Sequence, residues 1–298
     1  MKQYLISAYI LFLFSFGNVF SQVTSEQIHY GASSLSMAAS DIALPKSSWS
    51  VFVNAAGLIE QEGLTFVASS HSQFSQDYLS HSLFGVQFNN FKYGSFGISL
   101  ENSSVDYIDN NLVTETAIGF HQGISLRADR NSSFSIGYGL KSYTIDYGAS
   151  AGPSGDGSDG INLGSLNAFG LNVSFLGSLG KRIRVGAKAL NINSPTLGNA
   201  NLATRLPQRA QIGLAYSPYD LVWTTAALNK SVGHPTNFSS GFAYEVQQNM
   251  FLRAGIQTSP NRFSSGLEFY FKKISIAYGF ITHPVLSLSH QLSIEVNR

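Results

Sequence analysis

The chain has 298 residues and a net charge of +1, and charged residues make up only 12% of it, about half the level usual in soluble domains. A near-neutral balance argues against nucleic acid as a partner, which calls for a basic excess. The absence of cysteine excludes disulfide staples, a lipid-bearing cysteine anchor and the usual structural zinc sites.

The opening "MKQYLISAYILFLFSFGNVFSQ" reads as a secretory signal over residues 1–21. Lys2 supplies the positive start, Leu5 to Phe16 the apolar run, and Val19 and Ser21 the small-residue pattern before a cut ahead of Gln22. The apolar run is too short to span a bilayer, which takes about 20 residues. Residues 22–62 form a separate segment, in which the small residues at 31–43 suit either close packing inside a barrel or a flexible leader.

From residue 63 to 298 one pattern repeats: apolar and polar residues alternate with a period of two, the mark of a β-strand with one oily and one polar face. "FSIGYGLK" sets Phe134, Ile136, Tyr138 and Leu140 against Ser135, Gly137, Gly139 and Lys141. "LSLSHQLSIEV" sets Leu286, Leu288, Leu292, Ile294 and Val296 against Ser287, Ser289, Gln291, Ser293 and Glu295. The alternation predicts strands at 64–74, 78–89, 92–101, 114–128, 132–146, 166–178, 181–192, 207–217, 220–229, 237–247, 249–258, 262–272, 273–282 and 286–296.

Every second link between these strands is short ("NNF", "DRN", "LGK", "SPYD", "QQN", "KK"). The others include long ones, such as "NSSVDYIDNN", "ASAGPSGDGSDGINL" and "NSPTLGNANLATRL". Short turns on one rim and long loops on the other are the asymmetry of an outer-membrane barrel. The expected fold is therefore all-β, a transmembrane antiparallel β-barrel of about fourteen strands. Its oily parity faces lipid, and Tyr78, Phe91, Tyr93, Tyr147, Tyr216, Tyr219, Trp223 and Phe263 are candidates for the interfacial aromatic girdles. The polar parity places Glu101, Lys141, Arg182, Arg184, Lys188, Arg209, Glu245, Arg253, Glu268 and Lys272 in the lumen, either paired and sealing it or lining a polar path.

Residues 29–58, "HYGASSLSMAASDIALPKSSWSVFVNAAGL", resemble the amino-terminal segment of FadL-like outer-membrane barrels, in particular the PorV/PorQ branch associated with type IX secretion in Bacteroidetes. The motif positions are Gly31, Ala32, Met37, Asn54, Ala56, Gly57 and Leu58. Ala38 and Ala39 stand where the family has glycines, and Ala55 where it has proline. The resemblance implies a fourteen-stranded barrel with residues 22–62 folded into the lumen as a hatch. It also implies a place in the Gram-negative outer membrane among its lipids, and a role as accessory or cargo shuttle in secretion, with a translocon subunit or secreted cargo as partner. The alternative is FadL-like transport of a hydrophobic small molecule, using an apolar pocket near the hatch built from Leu35, Met37 and Ile42.

No catalytic constellation stands out. No serine occupies a G-x-S-x-G elbow between strand and helix, the seven histidines are scattered without zinc-site spacing, and "GPSGDGSDG", with Asp156 and Asp159, lacks the carboxylates of a calcium loop. No enzymatic activity, metal or cofactor is expected.

Overall fold

The computed structural model describes residues 29–298 except 91, 108–109, 151, 154, 156–158 and 199–203, together with all their side chains but those of 90, 107, 110 and 204. The expected signal at 1–21, the girdle candidate Phe91 and Asp156 thus lie outside the described residues.

Fourteen antiparallel strands close into a barrel: β1 (Leu64–Ser72), β2 (Leu79–Asn90), β3 (Gly94–Tyr107), β4 (Asn110–Ala128), β5 (Ser132–Ala149), β6 (Asn162–Leu179), β7 (Ile183–Leu190), β8 (Arg209–Tyr216), β9 (Val222–Ser231), β10 (Asn237–Gln247), β11 (Met250–Gln257), β12 (Arg262–Phe271), β13 (Ile274–Ile281) and β14 (Ser289–Asn297). Each pairs with its sequence neighbours, and β14 closes on β1 in the register Val67↔Glu295, Ser69↔Ser293 and His71↔Gln291. Closure leaves the barrel without a free edge, which matters in hydrocarbon, where each unpaired backbone group costs several kcal/mol.

The oily parity points outward. Phe134, Tyr138 and Leu140 of β5 and Leu292, Ile294 and Val296 of β14 are exposed, while Ser135, Gln291, Ser293 and Glu295 are buried. No helix among the described residues is long and apolar enough to cross a membrane; the strands do the crossing. The wall is uneven in height. β4, β5 and β6 run 19, 18 and 18 residues, whereas β7, β8, β11 and β13 run 8 each. On the tall side the outward face turns polar above the apolar belt, and its side chains bond across strands: Ser80 with Ser104 at 2.7 Å, Asn102 to Thr116 at 3.1 Å, and Thr144 to Asn167 at 2.7 Å. These hairpins stand above the belt, which explains a difference from the sequence reading. "NSSVDYIDNN" reads as a loop because it is rich in Asn, Asp and Ser, yet β3 continues to Tyr107 and β4 starts at Asn110.

Further differences concern ends and faces. The last strand begins at Ser289 rather than 286. Trp223, expected in the outer girdle, pairs with Ala243 on the inward parity and packs against the internal core. Tyr78, Tyr93, Tyr147, Tyr216, Tyr219 and Phe263 are exposed.

Residues 29–62 lie inside the barrel as two short helices, α1 (Ala32–Ser36) and α2 (Ser50–Val53), and a 3-10 helix (Ala55–Glu60). Their contacts divide the interior: α1 packs on β11 to β14, α2 on β2 and β3, and the 3-10 helix on β2 to β6. The core of the molecule is therefore this segment against the inner wall, with Tyr30, Ile42, Trp49, Val51, Phe52 and Leu58 buried among wall residues. A second cluster sits on the tall side, where Leu197 and Leu206 of the β7–β8 loop fold inward onto Ala117, Tyr143, Ile145 and Ala168. A two-residue ladder, Thr196–Leu197 with Thr204–Arg205, steadies that loop.

Candidate functional site

The inner segment, or hatch, is shaped by a few residues with unusual backbone. Gly31 has φ +85°, and a Cβ there would sit 2.5 Å from the Trp49 ring, so only glycine fits. Ala38 and Ala39 adopt φ +51° and +56°. That left-handed region costs an L-residue roughly 1–2 kcal/mol, which accounts physically for glycines at these positions in the FadL-like motif. Asn54 caps the 3-10 helix: its Oδ1 accepts the Ala56 N–H at 3.1 Å, while its Nδ2 donates to the carbonyls of Ile42 and Phe175 at 3.0 and 3.1 Å. One side chain thereby fixes two hatch turns and ties both to β6.

The polar parity of the wall grips this segment, and its glycines let it in. On β14, Ser293 Oγ accepts the Ala32 N–H at 3.1 Å and Glu295 accepts Trp49 Nε1–H at 2.6 Å. The Gln291 amide lies between Ser69 and the Gly31 backbone, satisfying contacts of 3.0 to 3.2 Å with its oxygen toward the Gly31 N–H. Elsewhere Ser264 donates to Ser36 O (2.8 Å), Gln211 to Ala39 O (2.6 Å), Ser40 meets Thr225 (2.6 Å), and Ser135 donates to Ala56 O (2.9 Å). Ser174 Oγ accepts the Ala56 N–H at 3.1 Å. Inward glycines such as Gly137, Gly186 and Gly255 lie directly against hatch backbone at Ala55–Ala56, Ile42 and Met37. A Ser/Gly-rich inner face thus marks a lumen filled with peptide.

Three ion pairs hold this level of the barrel: Lys141–Glu101 at 2.6 Å, Arg184–Glu60, and Arg253–Glu268, whose Nε–Oε2 distance is 3.1 Å. All six side chains are largely shielded from solvent, so breaking any one pair costs far more than at the surface. Arg184 also donates to the Ala43 carbonyl at 2.9 Å, binding the middle and the far end of the hatch to β7.

Above the hatch, on the long-loop side, is a cavity of about 600 Å³, within the roughly 300–1,000 Å³ range of small-molecule sites. It occupies the low-walled half, β7 to β14 and β1, because the inward-folded β7–β8 loop fills the tall half. His29 and Tyr30 lie at its base and Phe74, Leu190, Pro235 and Ile281 give it apolar walls. Burial, reinforced by the nearby charges of His71 and Arg262, pushes the His29 imidazole down to about 3, so it is neutral at ordinary pH. Burial pushes the Tyr30 phenol up to about 12 and raises the Asp41 carboxyl. The Tyr30 ring stacks on Phe52 at 5.7 Å and carries Lys188 Nζ over its face at 5.1 Å.

The residues singled out from sequence fall into distinct places. Gly31, Ala32, Met37, Asn54, Ala56, Gly57 and Leu58 all sit in the hatch. Lys141, Arg184, Arg253 and Glu268, with Glu101, lie inside the barrel as ion pairs, and Lys188 and Arg209 line the cavity. Arg182 and Lys272 do not face the lumen. Both are exposed in short turns, Arg182 beside Asp220 at 3.8 Å, because β7 and β13 begin only after them. Glu245 lies at the short-turn rim, accepting the Asn249 N–H at 3.4 Å. Leu35, Met37 and Ile42 line no described cavity; they are fully packed between hatch and wall. Sequence reasoning missed Glu60, Trp49 and Arg262. Trp49 lies within the motif segment and Glu60 two residues after it, whereas Arg262 has no local signal. Among the described residues no group of three or more His, Asp or Glu could hold a metal ion.

Fold and site together define a closed fourteen-stranded membrane barrel, hatch-filled at mid-height and hollow toward its loops. No family model matches the chain, and no curated protein matches it. Its likenesses are among solved structures. It is similar to the CymD monoaromatic hydrocarbon channel at 11% identity, TM-score 0.61, covering 92% of this chain and 98% of that one. It is similar to the Pseudomonas putida toluene transporter TodX at 14% identity, TM-score 0.62, covering 91% and 99%. A Pseudomonas aeruginosa FadL homologue aligns at 11% identity, TM-score 0.52, covering 90% and 98%. At these identities the likeness is one of fold, and that fold is the FadL-like barrel.

Proposed function

We propose that this chain is an outer-membrane uptake barrel for a small molecule with hydrophobic character, captured in the loop-end cavity and released inward when the hatch shifts. The observation that carries the reading is the cavity of about 600 Å³ above a hatch that otherwise fills the barrel. Two structurally similar proteins are a monoaromatic hydrocarbon channel and a toluene transporter, which supports the same class of cargo. The apolar surfaces of Tyr30, Phe74 and Ile281 offer such a molecule contact, and entry is from the loop end, since fourteen paired strands surround the site.

The secretion-accessory reading rests on the amino-terminal motif alone. Gly31, Asn54 and Ala56 are engaged in folding the hatch and fastening it to the wall, so the motif supplies no argument for a protein partner. The test is uptake of labelled toluene at limiting concentration by Gram-negative cells lacking their own barrels of this fold. Expression of this chain in the outer membrane raises the initial rate several-fold. An unchanged rate with correctly inserted protein contradicts the proposal.

A further inference from the structure

The two ends of the barrel differ in charge. At the long-loop end the exposed charged side chains include Asp77, Asp106, Asp146 and Asp159, against Arg205 and Lys230. The short-turn rim is basic over much of its circuit. Arg127 and Arg130 flank the β4–β5 turn, Lys181 and Arg182 form the β6–β7 turn, and Lys272 and Lys273 the β12–β13 turn, all of them exposed. Lys92 stands in the β2–β3 turn, its Nζ over the Tyr93 ring at 5.0 Å. The acidic side chains of these turns and strand ends are Glu62, Asp129, Asp220 and Glu245. Asp129 takes Arg127 at 2.5 Å, and Asp220 lies beside Arg182 at 3.8 Å. Among the described residues Arg130, Lys181, Lys272 and Lys273 form no ion pair.

Hydrogen bonds between neighbouring turns gather these cations into two groups. Gly180 N–H donates to the Asn131 carbonyl at 2.6 Å, which sets the turns carrying Lys181 and Arg130 side by side. Asn297 N–H donates to the Lys273 carbonyl at 2.8 Å, which sets Arg298 alongside the Lys272–Lys273 turn.

Their depth is fixed by what flanks them. Leu126 precedes Arg127, Leu179 lies two residues before Lys181, Phe271 precedes Lys272 and Ile274 follows Lys273. All four apolar side chains are exposed on the outer face of the wall. A strand advances about 3.3 Å per residue, so these charges stand within roughly 7 Å of the apolar belt, at the depth of lipid headgroups. Long basic side chains lay their stems on apolar surface there and put the charge among the phosphates. Each Lys or Arg near an anionic membrane surface adds to the attraction.

We infer that the short-turn rim binds anionic phospholipid of the adjoining leaflet, its phosphate held by Arg130 with Lys181 and by Lys272 and Lys273 with Arg298. Charge-assisted hydrogen bonds to the phosphate oxygens hold the headgroup, and the acyl chains lie on the wall beside Leu179, Phe271 and Ile274. A soluble acidic protein would match the charge but not the apolar surface that adjoins it. The inference concerns the outside of the barrel and is independent of the cargo in the cavity.

The test is titration of the detergent-purified full chain with phosphatidylglycerol or phosphatidylcholine, bound lipid being counted by native mass spectrometry. Phosphatidylglycerol is expected to bind about tenfold or more tightly than phosphatidylcholine. The double variants Arg130→Gln with Lys181→Gln, and Lys272→Gln with Lys273→Gln, should each weaken phosphatidylglycerol about fivefold or more and leave phosphatidylcholine unchanged. Arg205→Gln with Lys230→Gln, at the opposite end, should change neither. All these side chains are exposed, and the heat-modifiable barrel band verifies that each variant is folded. Equal affinity for the two lipids overturns the inference, as does a preference that survives both rim variants or is lost equally in the long-loop variant. Binding of soluble polyglutamate at the rim without a lipid preference overturns it too, and points to an acidic protein instead.

Discussion

Trp49 Nε1 donates to Glu295 Oε1 at 2.6 Å, so the N-cap residue of α2 is fastened to the strand that closes the barrel. Both side chains are buried. Trp49→Phe keeps most of the ring volume but removes the donor, leaving a buried carboxylate short of one partner. A loss of about 1–3 kcal/mol in hatch docking follows. It is measured as faster hydrogen exchange across residues 29–62 with the heat-modifiable barrel band unchanged. Equal exchange in the two proteins would remove this contact from the account.

The two classes of arginine should separate sharply. Arg253→Met strands Glu268, which is fully buried, and should cost on the order of 3–5 kcal/mol. Arg182→Ala breaks an exposed contact with Asp220 and should cost under about 1 kcal/mol. Urea unfolding of the refolded variants in one detergent gives both numbers. Similar losses would mean that the interior is wetter than described.

Ala55 occupies the first position of the 3-10 helix, after Asn54 in an extended conformation at φ −160° and ψ 102°. Proline suits a first helical position, and an extended residue before it is what proline prefers. Ala55→Pro should therefore stabilise the hatch by about 0.4–1 kcal/mol through the undocked chain. Slower hydrogen exchange over residues 54–60 is the expected sign, and faster exchange the contrary one.

His29 makes hatch docking depend on pH. Its docked value of about 3 lies below the ordinary 6.5 of an imidazole in water. The undocked state thus binds the extra proton between those values, and docking weakens as pH falls through that window. Between pH 6.5 and pH 5 the loss is about 1.6 kcal/mol, since each unit well below 6.5 is worth about 1.36 kcal/mol and the free imidazole is already half protonated at 6.5. His71 and Arg262 face His29 and disfavour its charged form. Protease sensitivity of the hatch should rise over this range, and His29→Gln should flatten the dependence.

Much of this fold is legible in the sequence because alternation reports directly on a wall with two solvents. Phe134 to Leu140 and Leu292 to Val296 face outward as their parity requires. What alternation cannot say is what meets the polar side. Ser293 and Glu295 would look the same facing water, whereas here they bind the Ala32 amide and the Trp49 indole. Trp223 misleads because tryptophan suits both a membrane interface and an inner core. Arg182 misleads because parity continues into a turn where it has no meaning. The cavity is invisible to any local reading. Its lining residues, from Lys188 to Ser289, come together only when the barrel closes, and their region is hollow because Leu197 and Leu206 fold to the opposite side.

The central claim is that the hatch must shift for cargo to pass, and the absence of cysteine makes a direct test clean. Ser40 and Thr225 face each other across the hatch–wall boundary, their hydroxyl oxygens 2.6 Å apart. Ser40→Cys with Thr225→Cys places two thiols there with no others to compete. The measurement is cargo uptake by cells carrying this double variant, oxidised and then reduced. The account predicts uptake abolished by the disulfide and restored by reductant. Uptake that continues unchanged with the disulfide fully formed would contradict passage through this barrel.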